Sequence, residues 1–104
     1  MVTNDQFRQF ALSFPGTIEL PHFERTSFRI NKKIFVTLSE KDRIANFKLT
    51  PIDQSFFCSI DTEIVYPVQN KWGIQGWTSA NLEMIDKELL LELLTSAFNV
   101  VNSK

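Results

Sequence analysis

Two short polar breaks divide an alternating apolar run, and that arrangement leaves the chain few folds to choose from. Phe28 and Ile30 precede Asn31-Lys32, and Ile34, Val36 and Leu38 follow it. Side chains of a strand alternate between faces, so each run reads as a strand with one apolar side. Two intervening residues make a tight hairpin. Asn31 tolerates the positive φ that such turns need, and Lys32 suits it less well than glycine. Glu40-Lys41-Asp42 forms the next turn. The pattern then resumes from Ile44 to Leu49, with Ala45, Phe47 and Leu49 on one side and Asn46 and Lys48 on the other. Thr17 to Leu20 adds an edge strand before the hairpin. The result is an antiparallel meander with an apolar face that needs covering.

Helical patterns at both ends supply the cover. Thr3 and Gln6 have the spacing of a capping box. Phe7, Phe10, Ala11 and Phe14 then share one helical face, and Pro15-Gly16 stops the helix. This predicts a first helix over 4–14. Thr50 before Pro51 is an N-cap followed by proline at the first helical position. Ile52, Phe56 and Ile60 form an apolar stripe, predicting a short middle helix over 51–59. Val65-Tyr66-Pro67-Val68 leads into a loop, and Trp77 to Leu82 reads as a last strand. Asp86 caps the final helix, with Ile85 and Leu90 spaced as a hydrophobic staple. Leu90, Leu93, Leu94, Ala97 and Val101 form its buried face. The expectation is an α+β two-layer sandwich, with both terminal helices on one sheet face and the other face open.

The 104 residues suit one domain spanning 1–104, and 43% hydrophobic with 22% charged residues is ordinary for a packed core. Cys58 is the single cysteine, which excludes an internal disulfide and fits a reducing compartment. No signal-peptide pattern is present. No apolar run reaches the roughly 20 residues of a membrane helix. A cytoplasmic monomer without membrane contact is expected. The formal net charge of −1 argues against a strongly basic nucleic-acid binder. The charges are uneven, however. Between His22 and Thr50 seven cations face three carboxylates, a local balance of +4, while Asp61, Glu63, Glu83, Asp86, Glu88 and Glu92 gather later. One face is therefore expected to be basic. Zinc spacing, a P-loop, a Rossmann glycine pattern and a serine elbow are all missing, so no metal or cofactor is expected.

The run Asn70-Lys71-Trp72-Gly73-Ile74-Gln75-Gly76-Trp77-Thr78 holds both tryptophans and two of the three glycines. It reads as a shaped loop around aromatic anchors. Together with Phe14-Pro15-Gly16-Thr17 and the stretch from His22 to Phe35, the block from Tyr66 to Thr78 resembles the MmcQ/YjbR family. The resemblance covers nearly the whole chain. It implies a fold similar to frataxin, and a non-enzymatic protein that binds DNA through a "double-wing" motif. Many members carry Gly-Gly where this chain has Asn31-Lys32, which adds a cation to the projecting hairpin. Related sequences often carry lysine where this chain has Ile74, which removes one from the tryptophan loop. Iron binding, as in frataxin-like proteins with an acidic ridge, is not expected, because the first helix offers only Asp5 and the following strands are basic.

Arg25, Arg29, Lys32 and Lys33 are the candidate DNA contacts, with Lys71 on the adjacent loop. Arg25, Ser27 and Arg29 alternate to one strand face. The plainer reading of these charges is a solvated face without a partner. Trp72 and Trp77 can stack on a base or small ligand. Paired Gly and Trp more often pin a loop to the core, which would leave Lys71 and Gln75 to face a partner. His22, the single histidine, is a candidate general base or pocket member with Glu24 and Arg25, but a lone histidine beside a strand is more often a hydrogen-bonded structural group, and Cys58 has no activating neighbour in sequence. The leading expectation is weak, largely non-sequence-specific DNA binding through the wing strands. The alternative is a protein-protein or small-ligand module that uses the open face with His22, Ser27, Trp72, Gln75 and Trp77.

Overall fold

A computed structural model of the chain describes residues 1–102. Helix α1 (Asn4–Leu12) leads into the strands β1 (Ile18–His22), β2 (Arg25–Ile30), β3 (Lys33–Ser39) and β4 (Ile44–Lys48). Helix α2 (Pro51–Cys58), strand β5 (Val65–Pro67), the one-turn helix α3 (Lys71–Ile74), strand β6 (Trp77–Asn81) and helix α4 (Lys87–Asn102) follow. All six strands join one antiparallel sheet in the order β1-β2-β3-β4-β6-β5. The fold is α+β with helices α1 and α4 on one face of that sheet.

Local chemistry explains the element ends. The Thr3 hydroxyl accepts from the Gln6 N–H and the Gln6 side chain accepts from the Thr3 N–H, completing the capping box. Helix α1 ends at Leu12, two residues short of the sequence expectation, because Pro15 disfavours helix before it. The Thr50 hydroxyl accepts from the Asp53 N–H at 3.1 Å, and Asp86 Oδ1 accepts from the Leu89 N–H at 2.7 Å. Each satisfies an N–H that a helix start otherwise leaves bare. Asn31 and Lys32 both have positive φ, 51° and 68°, as a primed hairpin turn requires.

The core lies between the sheet and the two long helices. Phe7 on α1 meets Phe28 and Phe47 edge-on, with ring centroids at 5.6 and 6.3 Å. Phe98 on α4 packs on Phe14 and Phe35. Leu90, Leu93, Leu94 and Ala97 are fully buried, as expected, and Val101 packs against them partly buried. Arg8 ties α1 to the strands through Glu19 at 3.0 Å and Glu40 at 2.6 Å. The Glu40 bridge pulls that carboxyl below its usual range and holds the Arg8 guanidinium well above its own.

Two expectations are corrected. The first concerns the facing of β3. Phe28 pairs with Val36 but Arg29 pairs with Ile34, so Phe35 is an extra residue in a β-bulge. Phe35 and Val36 both enter the core, while Ile34 turns to the open face instead of sharing a side with Val36 and Leu38. The second concerns α2. Its stripe of Ile52, Phe56 and Ile60 is exposed, at 81%, 61% and 54%, and Phe57 is buried in its place. The cause is Gln54, whose amide donates to the carbonyls of Gly73 and Trp77 at 2.8 and 3.0 Å. That polar anchor fixes the rotation of the helix with Gln54, Phe57 and Cys58 inward.

Candidate anion-binding face

Alternation assigns every strand residue to a face. Phe28, Ile30, Val36, Leu38, Ala45, Phe47, Val65 and Ala80 are buried under the helices. The opposite positions are Arg25, Ser27 and Arg29 on β2, Thr37 on β3, Ile44, Asn46 and Lys48 on β4, and Trp77, Ser79 and Asn81 on β6. Cross-strand pairing puts Ile18, Leu20 and His22 of β1 on the same side. This open face therefore has three strand cations, Arg25, Arg29 and Lys48, and no strand carboxylate. Glu19 is turned to the helix side, where Arg8 neutralises it. Glu24, Glu40 and Asp42 sit in turns at the margin. The unevenness of charge seen along the chain thus becomes a sorting by face.

The individual cations are held differently. The Arg29 Nε donates to Ser27 Oγ at 2.9 Å, and Ser27 Oγ donates to the Leu20 carbonyl. Ser27 is fully buried, so it supports Arg29 and offers no surface of its own, contrary to the expectation from its alternation with the arginines. Lys32 and Lys33 are exposed at the tip of the β2–β3 hairpin. Lys71 is exposed on α3 with its ammonium 5.9 Å from the Trp72 ring centre. The Lys48 ammonium donates to the Gln75 carbonyl and lies over the Trp77 ring. Gln75 itself is exposed.

Arg25 differs from the rest. Its Nε donates to Thr37 Oγ1 at 2.9 Å and its Nη2 to the Ile44 carbonyl at 3.1 Å. Burial pulls its pKa down, opposed only by the charge of Asp42. The group stays charged. Among the described residues no carboxylate lies within ion-pair distance of it.

Arg25 belongs to a cleft of about 470 Å³ on the open face. His22, Ile34, Thr37 and Asn46 line it from the strands, and Val68, Asn70, Trp72 and Trp77 line it from the far side. Four sequence candidates, His22, Arg25, Trp72 and Trp77, meet here, whereas Arg29, Lys32, Lys33, Lys71 and Gln75 lie outside its lining. Sequence reading missed Ile34, Thr37, Asn46, Val68 and Asn70 as members. The bulge at Phe35 is what turns Ile34 inward to the cleft.

Trp72 is 49% exposed and Trp77 half-buried. The glycines pack the loop tightly. A Cβ on Gly73 would stand 1.9 Å from the Val68 carbonyl oxygen, and one on Gly76 equally close to that of Leu49. Gly76 also has φ +108°, which side-chain-bearing residues rarely adopt. Backbone packs on backbone, and the indoles are left to face the cleft. Cys58 is half-buried, and burial pushes its thiol pKa up, so it is no activated nucleophile. Among the described residues no three His, Cys, Asp or Glu side chains stand together as a metal would require, and no helix is long and apolar enough to cross a membrane.

The fold and this face define an open-faced α+β sheet protein with Arg25, Arg29 and Lys48 on the uncovered side. Residues 12–100 match the YjbR family model, and the chain belongs to the YjbR family. Among solved structures it is similar to Deinococcus radiodurans protein DR2400, a DUF419-domain protein. That likeness has a TM-score of 0.85 at 19% identity and covers 100% of this chain and 81% of that one. No curated protein matches the sequence.

Proposed function

We propose that the protein is a non-enzymatic DNA-binding module that grips phosphates weakly and without base preference. The observation that carries this reading is the sorting of charge: Arg25, Arg29 and Lys48 on the open face with no strand carboxylate, and Lys32 and Lys33 exposed at the hairpin beside it. Phosphate contacts supply affinity and register, while base contacts supply specificity. The exposed cations lie on a hairpin tip, on strands and on a one-turn helix, with no long helix presenting a row of side chains to a groove. Affinity without sequence preference is the natural outcome.

The test is fluorescence anisotropy with labelled duplexes of unrelated sequence across a salt series. Three or four phosphate contacts predict a slope of log K against log salt of about −3. Arg29→Glu with Lys33→Glu is expected to abolish binding while the protein stays folded, its thermal midpoint lowered by no more than several degrees through the lost Arg29–Ser27 bond. Undetectable binding at low salt, or binding that survives the double reversal, overturns the proposal.

A further inference from the structure

We infer that the open-face cleft is a binding site for a small flat anion, a planar ring bearing a phosphate or carboxylate, of the size of a nucleoside monophosphate. The site shares Arg25 with the proposed duplex-binding face but none of the hairpin-tip lysines, so changes at the hairpin tip test duplex binding apart from the cleft.

Three features of the cleft point to that chemistry. The first is its floor. Arg25 is half-desolvated and fixed by Thr37 and Ile44, yet no carboxylate pairs with it, and its Nη1 makes no hydrogen bond to the described residues. Withdrawing a cation from water without a counter-charge is costly, and an anion at Nη1 removes the cost. A guanidinium already held on one edge presents its remaining donors in a fixed direction, as oxyanion recognition needs.

The second is the sign of the free polar groups. Asn46 Oδ1 is committed to the Ser79 hydroxyl at 2.7 Å, and Asn70 Oδ1 to the Trp72 N–H at 2.8 Å. Both amides therefore keep their Nδ2 donors without a partner among the described residues, and the cleft lining has no Asp or Glu. Spare donors beside a fixed arginine select for an acceptor-rich ligand.

The third is the wall. Trp72 is half-exposed although Gly73 and Gly76 already hold its loop, so its exposed indole is not needed to close the fold. Ile34 and Val68 add apolar surface. A cleft of about 470 Å³ with aromatic walls and a few converging donors has the proportions of a small-ligand site. An indole offers its face to any flat ring.

Two sources can present this chemistry: a free mononucleotide or aromatic acid, and an unstacked nucleotide within a single strand. Trp72 and Trp77 are the only tryptophans and both line the cleft, so intrinsic fluorescence reports on it directly. The experiment titrates the intact chain with AMP and with salicylate, using adenosine and inorganic phosphate as controls that lack the charge or the ring. Saturable quenching by AMP or salicylate is expected, at least tenfold tighter than by either control. Trp72→Ala, with Trp77 kept as reporter, is expected to weaken it about tenfold. Arg25→Met is expected to weaken it about 10- to 100-fold. Arg25→Lys, which retains the charge, recovers only part of this, and circular dichroism checks that each variant folds. Lys32→Glu with Lys33→Glu leaves the titration unchanged. Competition by oligothymidylate that depends on Arg25 assigns the site to a strand nucleotide, and lack of competition assigns it to a free ligand. If AMP and salicylate bind no better than their controls, or if folded Arg25→Met binds as the parent does, the inference is wrong.

Discussion

The two faces of the sheet are built from the same strands by alternate residues, yet they obey opposite rules. The helix-covered face is apolar and closed: Phe28, Phe35 and Phe47 are fully buried under Phe7, Phe14 and Phe98. The open face carries cations, with the buried hydroxyls of Thr37 and Ser27 bonded by Arg25 and Arg29 and that of Ser79 bonded to Asn46. Burial on the first face releases water from apolar surface. Hydroxyls on the second are buried only where hydrogen bonds hold them. The contrast assigns stability to one side and leaves the other uncovered.

The sharpest way to break this contrast is to cut two neighbours on β2. Phe28→Ala removes a fully buried ring and is expected to cost about 3–5 kcal/mol. Arg29→Ala, one residue on and facing the other way, is expected to cost about 1 kcal/mol or less, because only its bond to Ser27 is lost. Urea unfolding of both variants measures the difference. Equal costs would mean that the open face also carries the fold.

Two glycines, one by the open-face loop and one by the core, allow a second cut. Gly76→Ala forces a Cβ against the Leu49 carbonyl at 1.9 Å, and backbone cannot yield as a flexible side chain does. Gly16 also has positive φ, +78°, but its Cβ would meet Ile30 only at an ordinary 3.6 Å. Gly16→Ala is therefore expected to cost about 1 kcal/mol from backbone conformation alone. Gly76→Ala is expected to cost at least about 1 kcal/mol more, since overpacking adds to the conformational term. A shift in tryptophan emission should accompany it, because Trp77 adjoins the clash. Equal costs would show that the loop rests on its indoles after all.

What was legible in the sequence follows the range of the interactions involved. The capping box at Thr3, the Thr50 and Asp86 caps and the Asn31-Lys32 turn involve residues within three or four positions, and each appears as its local chemistry requires. The pairing of Arg25 and Arg29 on one face follows from strand period alone. The Phe35 bulge was not legible, because Ile34, Val36 and Leu38 alternate perfectly and only pairing across to β2 reveals the extra residue. Nor was the rotation of α2, where a good apolar stripe lost to Gln54 bonds to carbonyls 19 and 23 residues away. The cleft lies further still from sequence, since it needs β1, β2 and the α3 loop brought together by the sheet. Its members carried separate signals, and His22, Arg25, Trp72 and Trp77 stood out singly by residue type.

The smallest expected effect lies where the two faces share a margin. Arg8 on the helix side reaches Glu40 in the β3–β4 turn at 2.6 Å, and its hydrogen bond holds the Glu40 carboxyl below the usual carboxylate range. A carboxyl whose pKa falls on folding contributes stability above its unfolded pKa and loses it as pH drops through the folded one. Glu40→Gln should therefore destabilise the protein at neutral pH, and the gap between parent and variant should close as the solution is acidified below about 4. The Glu40 side chain is 46% exposed, so screening by water holds the gap to less than about 1 kcal/mol. The bridge to Glu19 persists in the variant and keeps α1 anchored. Urea midpoints of both proteins between neutral and acid pH measure the effect, with added salt expected to shrink it further. A gap that stays constant through the acid range would trace the loss to packing of the turn rather than to charge.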